Sequence, residues 1–225
     1  MGLSYAQVGK MFGFAKSTLS KWIRGEKLHK GDMGGEVLEM DGLWTRTAEG
    51  AVELKVIRDE RGNTMATFDS WEEAVNAAYM RGAQSVAHIV SDGDLAIASA
   101  IEMTYGSYAN HQLCQFHLLR EYLRNIGEKG FSEAVKLLRS ESVLEARTHA
   151  KRAVYLSGDE ARYWCEKALS KGLTHLVSGH SRYKTTSLLE RLNRELRRRE
   201  RMGTWWSPHN LLVLLQQRGL LSSPT

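Results

Sequence analysis

Residues 90–125 read VSDGDLAIASAIEMTYGSYANHQLCQFHLLREYLRN. The apolar run that leads into them, SVAHIVSD, ends on an acidic residue, Asp92. A short continuous apolar run is the pattern of a strand buried on both faces. The segment DLAIASAIEMTYG then carries helical spacing, and ANHQLCQFHLL reads as a strand running into another helix. Strands that alternate with helices in this way predict an α/β domain.

Upstream, EVLEMDGLWTR, AVELKVIRD and TMATF read as three strands, the last two joined by a turn at Arg61-Gly62-Asn63. SWEEAVNAAYMRG reads as a helix, with Ser70 and Glu73 spaced as a capping box and Gly82 as its stop. Three hairpin-connected strands followed by helix, strand, helix and strand predict a mixed sheet. Residues 118–180 read as mostly helical, charged and broken by glycines, and SLLERLNRELRRRERM as a further helix.

The remaining signals concern partners. The chain has 225 residues, 42% of them hydrophobic, and a net charge of +5. That excess is mild, but its placement is uneven: Arg191, Arg194, Arg197, Arg198, Arg199 and Arg201 crowd one helix. Such a cluster fits a polyanion or a solvated face. Near the start, Gly9, Gly13 and Leu19 have the spacing of a helix-turn-helix, with Ser4 and Ser17 able to cap its two helices. Its second helix would offer Lys16, Ser17, Thr18, Ser20 and Lys21 to a DNA groove; an ordinary helical hairpin is the alternative. Two cysteines do not make a disulfide scaffold. Without the apolar core of a signal peptide or a run of about 18 apolar residues, the expectation is a cytoplasmic protein.

Three carboxylates stand out. Asp41 and Asp92 each close a predicted strand and each precede a glycine. Carboxylates gathered at one sheet rim repel, and a divalent cation with oxygen ligands resolves the conflict. Two such ions can activate a nucleophile and stabilise a leaving oxygen in phosphodiester chemistry. Taken singly, each Asp-Gly also fits a turn, and Asp94 and Glu39 are neighbouring alternatives. Glu190 sits three residues after Ser187, the spacing of a capping box, and four before Arg194, an ion-pair spacing. Cys114 and His117 could join Cys165 and His175 at a zinc ion, or be a half-buried thiol and imidazole on a strand-to-helix turn.

Taken together, MDGLWTR, VSDGDLAIASAI, CQFHLLR and TTSLLERLNRELRRRERMG resemble, in order and spacing, the mutator-type DDE transposases of prokaryotic insertion sequences. The separations are 51 residues from Asp41 to Asp92 and 98 from Asp92 to Glu190. The resemblance runs from the helix-turn-helix to about Asn210. It implies an RNase H-like core with a helical insertion before the last catalytic helix. On that basis residues 1–28 are the helix-turn-helix segment, 36–117 the first part of the core, 118–180 the insertion, and 181–225 the catalytic helix and tail. It implies that Asp41, Asp92 and Glu190 are the catalytic, metal-binding triad for Mg²⁺ or Mn²⁺, and that Cys114 and His117 are the family's Cys-x2-His element near the site. It implies hydrolytic nicking at the element's ends followed by attack of the freed 3′-hydroxyl on target DNA. Arg194, Arg197, Arg198 and Arg201 would contact phosphates, the helix-turn-helix would help read terminal inverted repeats, and the protein would be nucleoid-associated and act as a homo-oligomer holding two ends. Family members usually carry more sequence before the helix-turn-helix. The alternative is therefore a truncated, catalytically inactive DNA-binding protein or regulator derived from a transposase.

Overall fold

The computed structural model describes residues 33–48, 50–180 and 184–186, together with Leu189, Arg194, Arg197, Leu211, Leu212 and Leu215. The helix-turn-helix residues Lys16, Ser17, Thr18, Ser20 and Lys21, and Glu190, Arg198 and Arg201, lie outside the described residues.

Five strands form one mixed sheet: β1 (Val37–Thr47), β2 (Gly50–Asp59), β3 (Thr64–Thr67), β4 (His88–Ser91) and β5 (Asn110–Leu113). Their spatial order is β3-β2-β1-β4-β5. β2 is antiparallel to both its neighbours, whereas β4 runs parallel to β1 and to β5. The β2–β3 turn is closed by Asp59, whose carboxylate accepts from Asn63 N and Asn63 Nδ2, both at 2.8 Å. Gly62, at φ 93°, supplies the left-handed residue this turn requires.

The burial pattern of β1 shows where the sheet changes character. Val37 to Asp41 are all buried; from Gly42 onward, outward residues alternate with buried ones. The switch coincides with the end of β4, which pairs with β1 only from Val37 to Met40. Past Gly42, where β3 also ends, β1 continues with β2 as a two-stranded ribbon.

One face of the sheet is covered by α1 (Trp71–Met80) and α2 (Leu95–Tyr105). Leu38, Met40, Ile57 and Ile89 from the strands pack there against Trp71, Val75, Ala78, Ile97 and Ile101. Each fully buried aliphatic side chain stabilises the layer by roughly 1.5–3 kcal/mol. The expected capping box of α1 is present, with Glu73 N donating to Ser70 Oγ at 3.2 Å and Ser70 N to Glu73 Oε2 at 3.0 Å. On the opposite face Leu43, Leu54 and Val56 pack against Leu189, Leu211 and Leu215.

After β5 the chain enters a run of helices: α3 (Gln115–Asn125), α4 (Phe131–Arg139), α5 (Val143–Ser157), α6 (Glu160–Lys171) and the single turn α7 (His175–Ser178). Ala146, Ala150 and Ala153 line the buried side of α5, and Ala161, Trp164, Cys165 and Ala168 that of α6. Small side chains at this spacing let the two helices approach closely. Two glutamines hold this helical unit at its junction with β5, Gln115 at the start of α3 and Gln112 in β5. Gln115 Nε2 donates to the carbonyls of Leu138 at 2.9 Å and Gly172 at 3.1 Å. Gln112 Oε1 accepts from His175 N at 2.8 Å and from His175 Nδ1 at 2.9 Å. No helix among the described residues is long and apolar enough to cross a membrane.

This arrangement makes stability pH-dependent. Burial, then the charge of Lys184 and of His88, pulls His175 down to about 4; burial, Lys171 and His88 do the same to His111. An unfolded histidine titrates near 6.5, so between about 6.5 and 4 the unfolded chain binds protons that the folded chain refuses. The stabilisation is complete above about pH 6.5 and is lost as pH falls towards 4. Urea unfolding midpoints should decline as pH falls from about 6.5 towards 4, with a shallower decline in His175→Gln. An equally steep decline in that variant would contradict the assignment.

Candidate functional site

The register between β1 and β4 pairs Met40 with Ser91. The next residues along the two parallel strands are Asp41 and Asp92, so both carboxylates emerge where β4 stops and β1 carries on. Crevices outside the carboxyl ends of parallel strands are where open α/β sheets bind ligands. Asp41 is 3% exposed and shares its sheet face with Leu43 and Val56. Asp92 is half-buried.

The three residues Asp92-Gly93-Asp94 divide the local work. Asp92 accepts the backbone N–H of Asp94 at 3.0 Å. Gly93 makes the turn at φ 89°, and a Cβ there would also stand 3.0 Å from Leu113 Cδ2. Asp94 caps α2 by accepting from Ala96 N at 2.7 Å, which commits this sequence alternative to the helix end. The Asp92 carboxyl is raised above its usual range, first by burial. The Asp94 amide and the charge of His117 act the other way, while Asp94 and Glu53 add repulsion.

β5 brings a second strand end. Leu113 pairs with Ser91, and Cys114 N donates to Ser91 O at 2.7 Å, so Cys114 stands beside Asp92. His117 lies one helical turn into α3. Burial opposes its charge, but the hydrogen bond to Cys114, the charge of Cys114, and then Asp41 and Asp92 outweigh it and raise the imidazole to about 9. Cys114 is shifted in the matching sense: burial pushes it up, and His117 together with the donors of Thr186 brings it below its ordinary value. His117 is therefore charge-linked to both aspartates, and the four side chains form one electrostatic unit.

Two contributors left no mark in the sequence reading. Glu53, on β2, faces the Gly42 position, where a Cβ would collide with Glu53 Oε1; it is ion-paired to Lys55 at 3.1 Å and acts on Asp92. Alternation of Glu53 with Lys55 signals an outward face, but only the register places that face at the rim. Thr186 donates to Cys114 Sγ from its backbone N at 3.4 Å and from Oγ1 at 3.5 Å. The four-residue zinc arrangement is not formed. Cys165 lies in the helical core, 3.7 Å from Ala150 O, with its thiol raised to about 11 by burial, and His175 is bonded to Gln112. Among the described residues no group of three potential ligands comes together.

The donor set fits a hard divalent cation in part. Asp41, within β1, and Asp92, just past the end of β4, offer carboxylate oxygens from neighbouring parallel strands, and burial is the main reason the Asp92 carboxyl is raised. Leu189, the residue before Glu190, is buried among Leu43, Leu54 and Val56, on the face that carries Asp41. Arg194 and Arg197 are helical and exposed.

A family model described as "Transposase, Mutator family" matches residues 62–211. The chain belongs to the Mutator family of transposases. The matched residues include Asp92, Cys114, His117 and Glu190, and begin after Asp41. Among curated proteins, this Mutator-family chain is similar to the transposase for insertion sequence element IS256 in transposon Tn4001 from Staphylococcus aureus. The identity is 29% over 167 residues, covering 69% of this chain and 42% of that protein. The transposase of the same name from Enterococcus faecalis matches with the same identity and coverage. The transposase for insertion sequence element ISRM5 from Rhizobium meliloti is 30% identical over 142 residues, 58% of this chain and 35% of that protein. The chain thus spans less than half the length of the curated relatives it matches.

Proposed function

We propose that this chain carries the catalytic part of a DDE transposase, cutting DNA at insertion-sequence ends and joining the cut ends to target DNA. The observation that carries the reading is the register that sets Asp41, within β1, beside Asp92, just past the end of the parallel strand β4. An RNase H-like core is supported by the order β3-β2-β1-β4-β5 with β2 alone running against the rest.

Asp41, Asp92 and Glu190 would hold Mg²⁺ or Mn²⁺. Such ions, when bound, lower the barrier for an oxygen nucleophile to attack phosphorus and stabilise the oxygen that leaves. The chain's own residues do the rest. The two aspartates keep the rim anionic, and His117 places a compensating charge beside them. In nicking, water oxygen bonds to the scissile phosphorus, the bond to the 3′ oxygen breaks, and that oxygen leaves as a 3′-hydroxyl. In transfer, this hydroxyl attacks a target phosphodiester and releases a new 3′-hydroxyl, so bonds made equal bonds broken. Arg194 and Arg197, with Arg198 and Arg201, would contact phosphates in a salt-sensitive, sequence-independent manner. The helix-turn-helix of residues 1–28 would read the terminal repeats, and two copies would hold two ends.

The test is incubation of the protein and Mn²⁺ with a duplex carrying the DNA that flanks this coding region. Cleavage, and transfer of a pre-cut 3′ end into a plasmid, support the reading. Binding without cleavage would favour the inactive, transposase-derived binder, and cleavage without transfer a nuclease of similar fold.

A further inference from the structure

Cys114 stands beside Asp92, yet the chemistry above gives its thiol no step. Its contacts suggest another task. Thr186 donates to Sγ twice, at 3.4 Å from N and 3.5 Å from Oγ1. Cys114 and Thr186 are both 0% exposed, so water offers these donors no alternative partner. One residue further, Gln115 N donates to Lys184 O at 3.0 Å. Residues 184–186 are thus fastened to the point where β5 turns into α3. Three residues after Thr186, Leu189 is sunk among Leu43, Leu54 and Val56 of β1 and β2. The chain is pinned at two places, one beside Asp92 and one on the sheet face that carries Asp41.

We propose that Cys114 is a positioning residue: by holding Thr186 beside Asp92 it fixes the point from which the chain runs on towards Glu190. This rests on the catalytic reading given above. Sulfur suits the task because it accepts two donors at long range, where a hydroxyl would draw Thr186 in. Catalytic groups displaced by about 1 Å lose about 100-fold in rate, so a loosened dock should act on the chemical step and leave DNA affinity alone.

The test uses the full chain with Mn²⁺ and the flanking-DNA duplex in single turnover. Cys114→Ala should cleave about 100-fold more slowly at saturating DNA, with unchanged DNA affinity. Thr186→Val, which keeps the backbone donor and loses Oγ1, should fall about tenfold, the equivalent of one hydrogen bond. Thr186→Ser, which keeps both donors, should cleave like the wild type. Amide exchange over residues 184–197 should quicken in Cys114→Ala. Wild-type cleavage rates in Cys114→Ala and Thr186→Val overturn the proposal, and if Cys114→Ala fails to fold, Thr186→Val against Thr186→Ser decides. A wild-type chain that does not cleave, or an Asp92→Asn variant that still does, defeats the catalytic reading instead. The exchange measurement then decides the dock: quickened exchange supports it, and unchanged protection overturns it.

Discussion

Asp92→Asn is expected to yield a folded protein that no longer nicks DNA. Asparagine keeps an oxygen able to accept the Asp94 amide, now at 3.0 Å from Asp92, so the turn into α2 survives. Asparagine also tolerates the local backbone of such turns. What it removes is the negative charge. In the folded chain that charge is disfavoured first by burial and further by Asp94 and Glu53, against the opposing Asp94 amide and His117. Neutralising it should leave the urea midpoint unchanged or slightly raised. The same charge is what a divalent ion at Asp41 and Asp92 would need, and metal-held charge supplies several kcal/mol of transition-state stabilisation. Cleavage should therefore fall by about 10³-fold or more. A variant that stays folded and cuts at a tenth of the wild-type rate or faster would remove Asp92 from the chemistry.

Trp164→Ala should have the largest effect on stability. Trp164 is 3% exposed, and its ring meets Tyr122 edge-on with centroids 4.9 Å apart. Its indole N–H donates to Leu118 O at 2.8 Å, joining α6 to α3. Tyr122 in turn donates to Lys129 O at 2.8 Å and lies 2.8 Å from Ser157 Oγ, so one aromatic pair links α3 and α6 to the end of α5. Removing the indole loses its transfer free energy and leaves a cavity, about 3–5 kcal/mol in total. Chemical denaturation followed by circular dichroism should show that loss, with Trp164→Phe losing less. A loss below about 1 kcal/mol would mean that the helical unit does not depend on this contact.

Much of the sheet could be read from residue order. The alternation in β1 and β2, the Asp59–Asn63 turn and the Ser70–Glu73 box are local signals, each decided within a few residues, and the structure carries them. The run SVAHIVSD was read too long. Gly82 takes φ 106° and Ala83–Ser85 forms a 3-10 turn, so the strand begins only at His88. Periodicity could not show this, because Val86 and Ala87 continue the apolar string of the strand without being part of it. The Asp-Gly pair marks the end of β4 at Asp92, whereas Asp41-Gly42 does not close its strand: β1 runs on to Thr47 because its pairing with β2 continues. The site was illegible where it depends on register or on distant contacts. Glu53 reaches the rim through the pairing of β1 with β2, and Thr186 meets Cys114 at a sequence separation of 72. His175 read as a possible metal ligand because histidine is equally suited to an internal hydrogen bond, and only Gln112 on the neighbouring strand decides between the two.

The most direct test of the metal-holding carboxylate site is crystallography of this chain with Mn²⁺, located by its anomalous scattering. The expected result is a peak between Asp41 and Asp92, about 2.1 Å from an oxygen of each, with a Glu190 oxygen completing the protein ligands. A map with no peak at these aspartates, in crystals where Mn²⁺ occupies other carboxylates, would contradict it.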